Sequence, residues 1–293
     1  PLVQHLRDEA MRERHWKKLM RICGTSFAMD ATFALHHLLD LGLSKSADAV
    51  ADTVEQARME LKIDRQLTKI DSHWMGLVLE YVGFGGTGVA ILKGHEAVTE
   101  ALDEHEVILQ NMMSNRYMGF FEERIITWKT KLSTVHTTID DWVEVQRQWC
   151  SLEAIFIGSE DIREQLPEDA KRFDGIDAAF REQMADASQN NNPIEVCTQD
   201  GREAVFQANF DALELCQKSL SDYLEVKKKK FPRFYFISAA DLVDILSKGR
   251  YAPAVQPHFS KFTDATGSMD WAPDENGKLT GLSRGCQAID GEK

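Results

Sequence analysis

The sequence predicts a mainly α protein, an elongated rod of bundled helices with one small β-hairpin. Three observations predict it. Apolar residues recur in steps of three and four over long segments, the period of helices packed along their length. Only seven prolines interrupt 293 residues. One stretch, about 75–93, drops that period for short β-branched and aromatic runs around glycines.

Residues 1–23 read as a helix with Leu6, Trp16, Leu19, Met20 and Cys23 on one side, stopped by Gly24. A second helix carries Phe33, Leu35, Leu38 and Leu39 and ends at Gly42. Ser46 then caps a long helix to about Ser72, with a seam of Val50, Val54, Ala57, Leu61, Leu67 and Ile70, and Trp74 further on. Met75 to Phe84 and Val89 to Leu92 flank Gly85-Gly86-Thr87-Gly88 as the arms of a hairpin flank its turn.

Three more helices are expected. The first carries Val98, Leu102, His105, Leu109 and Met112; the second Tyr117, Phe121, Ile125, Trp128, Leu132 and Val135. Thr138 caps the third, which carries Trp142, Val145, Trp149, Leu152 and Phe156. Short joints force antiparallel neighbours, hence a bundle. A short helix from Asp161 stops before Pro167, which opens a helix through Ala187. Ser188 to Pro193 is the clearest loop and the best internal boundary. A helix over 201–230 carries Phe206, Phe210, Leu213, Leu220 and Leu224. Ser238 caps Ala239 to Leu246. From Thr263 to Lys293 no period survives, Asn276-Gly277 signals a turn, and the segment reads as irregular.

Composition narrows the function classes. The net charge of −13 argues against nucleic acid as the main partner, since phosphate binding needs a positive field. Five cysteines, Cys23, Cys150, Cys197, Cys216 and Cys286, form no C-x-x-C pair and fit free thiols in a reducing compartment. No secretory signal and no apolar run long enough to span a membrane is present. The chain begins inside a helical pattern, as a piece of something longer would.

Motifs for chemistry are weak. Gly83 to Gly88 formally matches G-x-G-x-x-G, but Val89-Ala90-Ile91-Leu92 after it reads as a strand and no P-loop lysine follows. His36-His37 and Glu104-His105-Glu106 lack the spacing of a metal site, because adjacent helical residues point about 100° apart. No G-x-S-x-G elbow occurs. Glu122-Glu123 and Asp140-Asp141 read as solvated helix faces. Lys227 to Lys230 offset the carbonyl dipole of a helix end, with contact to phosphate or an acidic protein surface as the functional alternative. After them, Phe231-Pro232-Arg233-Phe234-Tyr235-Phe236-Ile237-Ser238 reads as a buried extended plug.

These residues resemble a known family. Val145-Gln146-Arg147, Trp149, Leu152-Glu153, Ile155-Phe156, Asp161-Ile162, Gln165-Leu166-Pro167, Phe173 and Ile176-Asp177 resemble the central signature of dynein heavy chain linkers. The plug, continued by Ser238, Asp241-Leu242 and Ile245-Leu246-Ser247, resembles the second signature. Glu13-Arg14-His15-Trp16 and Ile91-Leu92-Lys93-Gly94 also fit, and Ile155 to Ile162 is worded as in axonemal outer-arm beta-class chains. The resemblance covers roughly residues 10 to 260 and departs after about Phe262, so 1–262 is expected to be the linker and 263–293 to lead toward the motor ring.

The resemblance implies a lever arm across a ring of AAA+ modules, bending and straightening with ATP binding and hydrolysis to drive the microtubule-based motility of cilia and flagella. It implies no catalysis, cofactor or metal in this segment, with ATP and Mg in the ring. The implied partners are the ring of the same heavy chain and other arm subunits, with microtubules reached only through the motor and neither nucleic acid nor membrane bound; the implied location is the axoneme. Candidate ring-contact or hinge residues are Gly83, Gly85, Gly86, Phe231, Pro232, Arg233, Phe234, Tyr235 and Phe236. The signature core is Trp142, Gln146, Arg147, Trp149, Leu152, Phe156, Leu166 and Pro167. Flexing is expected at helix breaks: Gly24 to Asp30, the hairpin, Gly158 to Pro167 and the asparagine loop. The competing reading is a helical scaffold or coiled-coil module without a motor.

Overall fold

Gly24 closes the first helix because, without a Cβ, it adopts the left-handed conformation at little cost. Helix α1 (Glu13–Cys23) stops where Gly24 takes φ +66° and returns its N–H to Met20 O. The structure, a computed structural model, describes residues 8–24, 26, 47–248, 251–263, 266–273 and 279–288. The expected helix through Phe33 to Leu39, its stop at Gly42, the Ser46 cap, His36-His37 and Asn276-Gly277 lie outside those residues.

Helix α2 (Ala47–Gly76) runs four residues past the expected end, since Trp74 still lies on its buried stripe. That stripe passes through Glu60 and Ile63, and Leu61 is only half-buried. Met75 and Gly76 are therefore helical, and the hairpin is β1 (Glu80–Phe84) with β2 (Val89–Gly94). Helix α3 (Glu96–Met113) buries Val98, Leu102, His105, Leu109 and Met112, all five residues the spacing selects.

Helix α4 (Glu122–Phe156) corrects the sequence reading most directly. It is one helix of 35 residues, with no joint at Thr138. Thr138 lies buried inside it, between Val135 and Ile139 of one continuous stripe. No Gly or Pro interrupts 122–156, so no backbone bond is lost. Each β-branched residue around 135–139 disfavours helix by roughly 0.5 kcal/mol, and burial outweighs that.

Helices α5 (Glu160–Gln165) and α6 (Pro167–Ala187) fall where Pro167 predicts, with Pro167 at the first helical position. Helix α7 (Pro193–Cys197) is short; α8 (Arg202–Lys230) and α9 (Ala239–Lys248) follow, and Ser238 Oγ accepts from Asp241 N–H at 3.1 Å as the predicted cap. Two further corrections concern the C-terminal part. Pro232–Phe236 forms a turn of 3₁₀ helix, neither extended nor buried. Residues 266–273 and 279–288 are not irregular: β3 (Thr266–Pro273) pairs antiparallel with β4 (Leu279–Ala288) through three register breaks. Glycine and serine hide the alternation there, and the ladder is carried by backbone bonds. The four-residue helix α10 (Phe259–Phe262) precedes this second hairpin.

The chain divides into two compact units: residues 1–80, 93–136 and 190–198, and residues 81–92, 137–189 and 199–293. In the first, Trp16 and Leu19 of α1 pack with Val50 and Val54 of α2. Trp74 donates its indole N–H to His105 Nδ1 at 3.0 Å, and Trp128 donates to Asp71 Oδ1 at 2.7 Å, tying α2 to α3 and α4. Arg124 bonds Asp64 at 3.2 Å and also Asp71. Asn192 caps α7 and gives its side-chain N–H to Trp74 O at 2.9 Å, sealing the end of α2.

In the second unit, Trp142, Trp149 and Phe156 stand seven residues apart on α4, two turns each, and all three are fully buried. Trp142 stacks on Phe206 of α8 (5.4 Å), Trp149 tilts against Phe180 of α6 (4.7 Å) and Phe156 stacks on Phe173 (5.3 Å). This aromatic ladder is the core of the unit, since such rings bury the most apolar surface per residue.

Candidate functional site

A two-stranded hairpin cannot hold itself together in water. Here it is fastened to helices by residues of the signature. Gln146 of α4 accepts the N–H of Leu92 and donates to the O of Leu92, both at 2.8 Å. The amide thus pairs with β2 as a neighbouring strand would. Tyr81 of β1 lies 6.2 Å from Trp142 and Phe84 lies 5.5 Å from Trp149, so two rungs of the ladder also receive the hairpin.

A charged chain completes the clamp. Asp177 of α6 accepts the Trp149 indole N–H at 3.0 Å on one oxygen and Arg181 Nε at 2.8 Å on the other. Arg181 then donates to Thr87 O in the hairpin turn at 3.0 Å. The turn tightens on itself where Thr87 N–H and Oγ1 bond Phe84 O at 2.9 and 2.7 Å. Gly85, Gly86 and Gly88 take φ values of +48°, +75° and +76°, conformations a side chain would strain. Gly83 sits in β1 with open space where a Cβ would be, so its position demands no glycine. The glycine run therefore joins two strands, and its amides do not open a helix.

A second joint lies where α4 meets α5. A Cβ on Gly158 would fall 2.4 Å from Ala154 O, so only glycine permits this turn. Arg163 of α5 donates to Phe156 O (2.9 Å) and grips Asp174 of α6 with both amines (2.9 and 2.7 Å). That bond holds the Asp174 carboxyl below its usual range.

The signature residues thus split. Trp142, Gln146 and Trp149 meet at the hairpin, and Phe156 caps the ladder. Leu152 is buried and Leu166 half-buried, while Pro167 is exposed and serves as the helix start. Arg147 faces solvent and grips Glu144 at 2.9 and 2.5 Å, which with Gln148 pulls the Glu144 carboxyl down to about 2. Sequence reasoning passed over Arg181, although its i,i+4 spacing from Asp177 is the ordinary signal of a helical ion pair. Arg163 and Asp174 carry no such signal, being on different helices.

Among the aromatic residues 231–236, Phe231 and Phe234 make an edge contact at 4.8 Å and meet Phe262 at 6.3 and 6.0 Å. Tyr235 is 50% exposed and Phe236 81%. Pro232 and Arg233 are exposed as well. Among the described residues no three His, Cys, Asp or Glu side chains are grouped to hold a metal.

Comparison with known proteins settles the family. The profile of "Dynein heavy chain, N-terminal region 2" matches residues 1–285. The chain belongs to this dynein family. It is 42% identical over 295 residues to a flagellar outer arm dynein beta chain of Chlamydomonas reinhardtii, covering 100% of this chain and 6% of that one. It is 40% identical over 290 residues to a ciliary dynein beta chain of Tripneustes gratilla, and 41% over 290 residues to axonemal heavy chain 9 of Homo sapiens, in each case 99% of this chain and 6% of the relative. The chain therefore spans about 6% of the length of these relatives. The dynein likeness does not stop near Phe262, as the sequence motifs alone suggest, but extends to residue 285. Among the described residues no helix is long and apolar enough to cross a membrane.

Proposed function

We propose that this dynein region is the lever arm of an axonemal heavy chain, which changes position on the AAA+ ring of the same chain as ATP is bound and hydrolysed. The stroke would drive microtubule-based movement of cilia and flagella, and the location is the axoneme. The relatives' names as flagellar and ciliary dyneins support this placement. On this reading the segment does no catalysis and holds no cofactor; ATP and Mg belong to the ring. The other subunits of the dynein arm are its neighbours, and microtubules are reached only through the motor.

The observation that carries the reading is α4. A 35-residue helix is about 50 Å long. It is cross-tied by three aromatic rungs and by Gln146, and a helix flexes where its bond ladder is broken. Load is then passed along α4, and bending falls to the turn at Gly158 and the hairpin at Gly85 and Gly86. The exposed aromatics Tyr235 and Phe236, with Phe231, Pro232, Arg233 and Phe234, form the candidate ring contact.

Binding of the 293-residue chain to a motor ring lacking its own arm tests this, without nucleotide and with ADP plus vanadate. The expected result is binding that changes with nucleotide state. A folded chain that binds in neither state would favour a scaffold without motor function.

A further inference from the structure

Lys227, Lys228, Lys229 and Lys230 end α8 in an acidic protein, yet among the described residues none of the four has a carboxylate partner. Elsewhere lysines do pair: Lys17 with Glu13, Lys248 with Asp244 and Lys261 with Asp241. The nearest acid on the same helix is already used, since Glu225 accepts the Tyr235 hydroxyl at 2.6 Å. Lys227 and Lys228 instead lie 4.8 and 5.7 Å from the ring centres of Tyr223 and Tyr235. The carbonyl end of α8 is equivalent to only about half a negative charge. Four lysines followed by Arg233 exceed that need.

The surplus is local. Residues 222–262 carry eight Lys or Arg against four Asp or Glu, in a chain whose net charge is −13. Beside this basic island stand Tyr235 and Phe236, the latter among the most exposed large apolar side chains of the molecule. Unpaired ammonium groups next to outward aromatics are complementary to carboxylates interleaved with apolar side chains.

We propose that Lys227–Lys230 and the Tyr235–Phe236 face dock an acidic, extended polypeptide segment that sets an apolar side chain against Phe236. The inference refines the candidate ring contact by naming the chemistry it accepts, and rests on that face being a docking surface. A bilayer or a nucleic-acid duplex presents a broad negative surface, which a chain of net charge −13 repels as a whole. A flexible acidic segment touches the island alone.

Fluorescence anisotropy of a labelled glutamate-rich peptide carrying one phenylalanine, titrated with the 293-residue chain, tests the proposal. Saturable binding that weakens with added salt is expected, with no binding of the glutamine counterpart. Lys229→Gln with Lys230→Gln, both exposed, should weaken it roughly three- to tenfold. Phe236→Ala should weaken it as well, and circular dichroism should show each variant folded. Equal affinity for the lysine variant, or no binding by the folded chain, overturns the proposal. So does tighter, lysine-dependent binding of phosphatidylserine vesicles or duplex DNA. If the peptide fails while the ring still binds, this inference falls alone; if the peptide binds and the ring does not, the lever-arm reading falls alone.

Discussion

Gln146 and Leu92 meet as if the helix side chain were a third strand, giving one hydrogen bond and taking one, each at 2.8 Å. The pairing satisfies a backbone N–H and C=O that the edge of β2 would otherwise leave to solvent or leave unpaired. It also explains why a glutamine is needed: only an amide donates and accepts at that reach.

Gln146→Leu should therefore strip both partners from Leu92. An unsatisfied buried polar group costs about 1–3 kcal/mol. Hydrogen exchange at Leu92 should quicken and urea stability should fall by a similar amount. Gln146→Glu keeps the acceptor but sets a carboxylate against Leu92 O, so it should not rescue. Unchanged exchange at Leu92 in the leucine variant would show that the ring contacts hold the hairpin alone.

Thr137→Pro separates one helix from two. In a helix interior, proline removes a hydrogen bond and clashes with the preceding turn, costing about 3 kcal/mol or more. Just before a helix capped at Thr138, it would be tolerated. The continuous α4 predicts the large loss, read from the urea midpoint, although Thr137 itself is exposed.

Most of the helical part is legible from spacing, because a packed stripe writes itself into the sequence at three- and four-residue steps. All five seam residues of α3 and the stops at Gly24 and Pro167 follow from local rules. Thr138 misleads because a capping residue is also a tolerable helix residue once Val135 and Ile139, on the same stripe, are buried. The segment 231–236 misleads for a different reason. Aromatic content signals affinity for an apolar partner, but it does not say whether that partner is this chain's own core. The clamp is half legible: Trp142, Gln146 and Trp149 belong to a recognisable pattern, while Arg181 acts across 94 residues on a backbone carbonyl that no side-chain pattern marks.

His15 should make the first unit sensitive to mild acid. Its Nδ1 accepts the Arg12 N–H at 3.0 Å, so Nε2 carries the proton and donates to Glu60 Oε2 at 3.0 Å. Burial lowers the His15 pKa, and the attraction of Glu60 only partly offsets it, with Arg14 and Lys18 adding to the fall. A buried neutral histidine binds its proton more weakly folded than unfolded, so the unfolded state holds more protons as pH drops. Stability is therefore full above the ordinary value of 6.5 and is lost as pH falls below it toward the folded pKa. His105, lowered by burial and by His73, acts in the same direction. Urea unfolding between mildly acidic and neutral pH should show this slope, and His15→Gln should reduce it, leaving the share of His105. An unchanged slope in that variant would mean that His15 does not lose its proton on folding.

Phe156 and Phe236 should separate stability from docking. Phe156 is fully buried and stacked on Phe173, so Phe156→Ala removes a rung of the ladder and leaves a cavity, at about 3–5 kcal/mol. Phe236 is mostly in solvent, and a surface substitution of this kind changes stability by no more than about 0.5 kcal/mol. In an intact motor the order should reverse. Phe236→Ala should slow microtubule gliding while leaving the urea midpoint in place, because on the proposed reading this exposed side chain contacts a partner outside this region. If gliding is unaffected in a stable Phe236→Ala motor, the exposed aromatics are not a working contact, and the proposed lever arm would have to meet a ring through other residues.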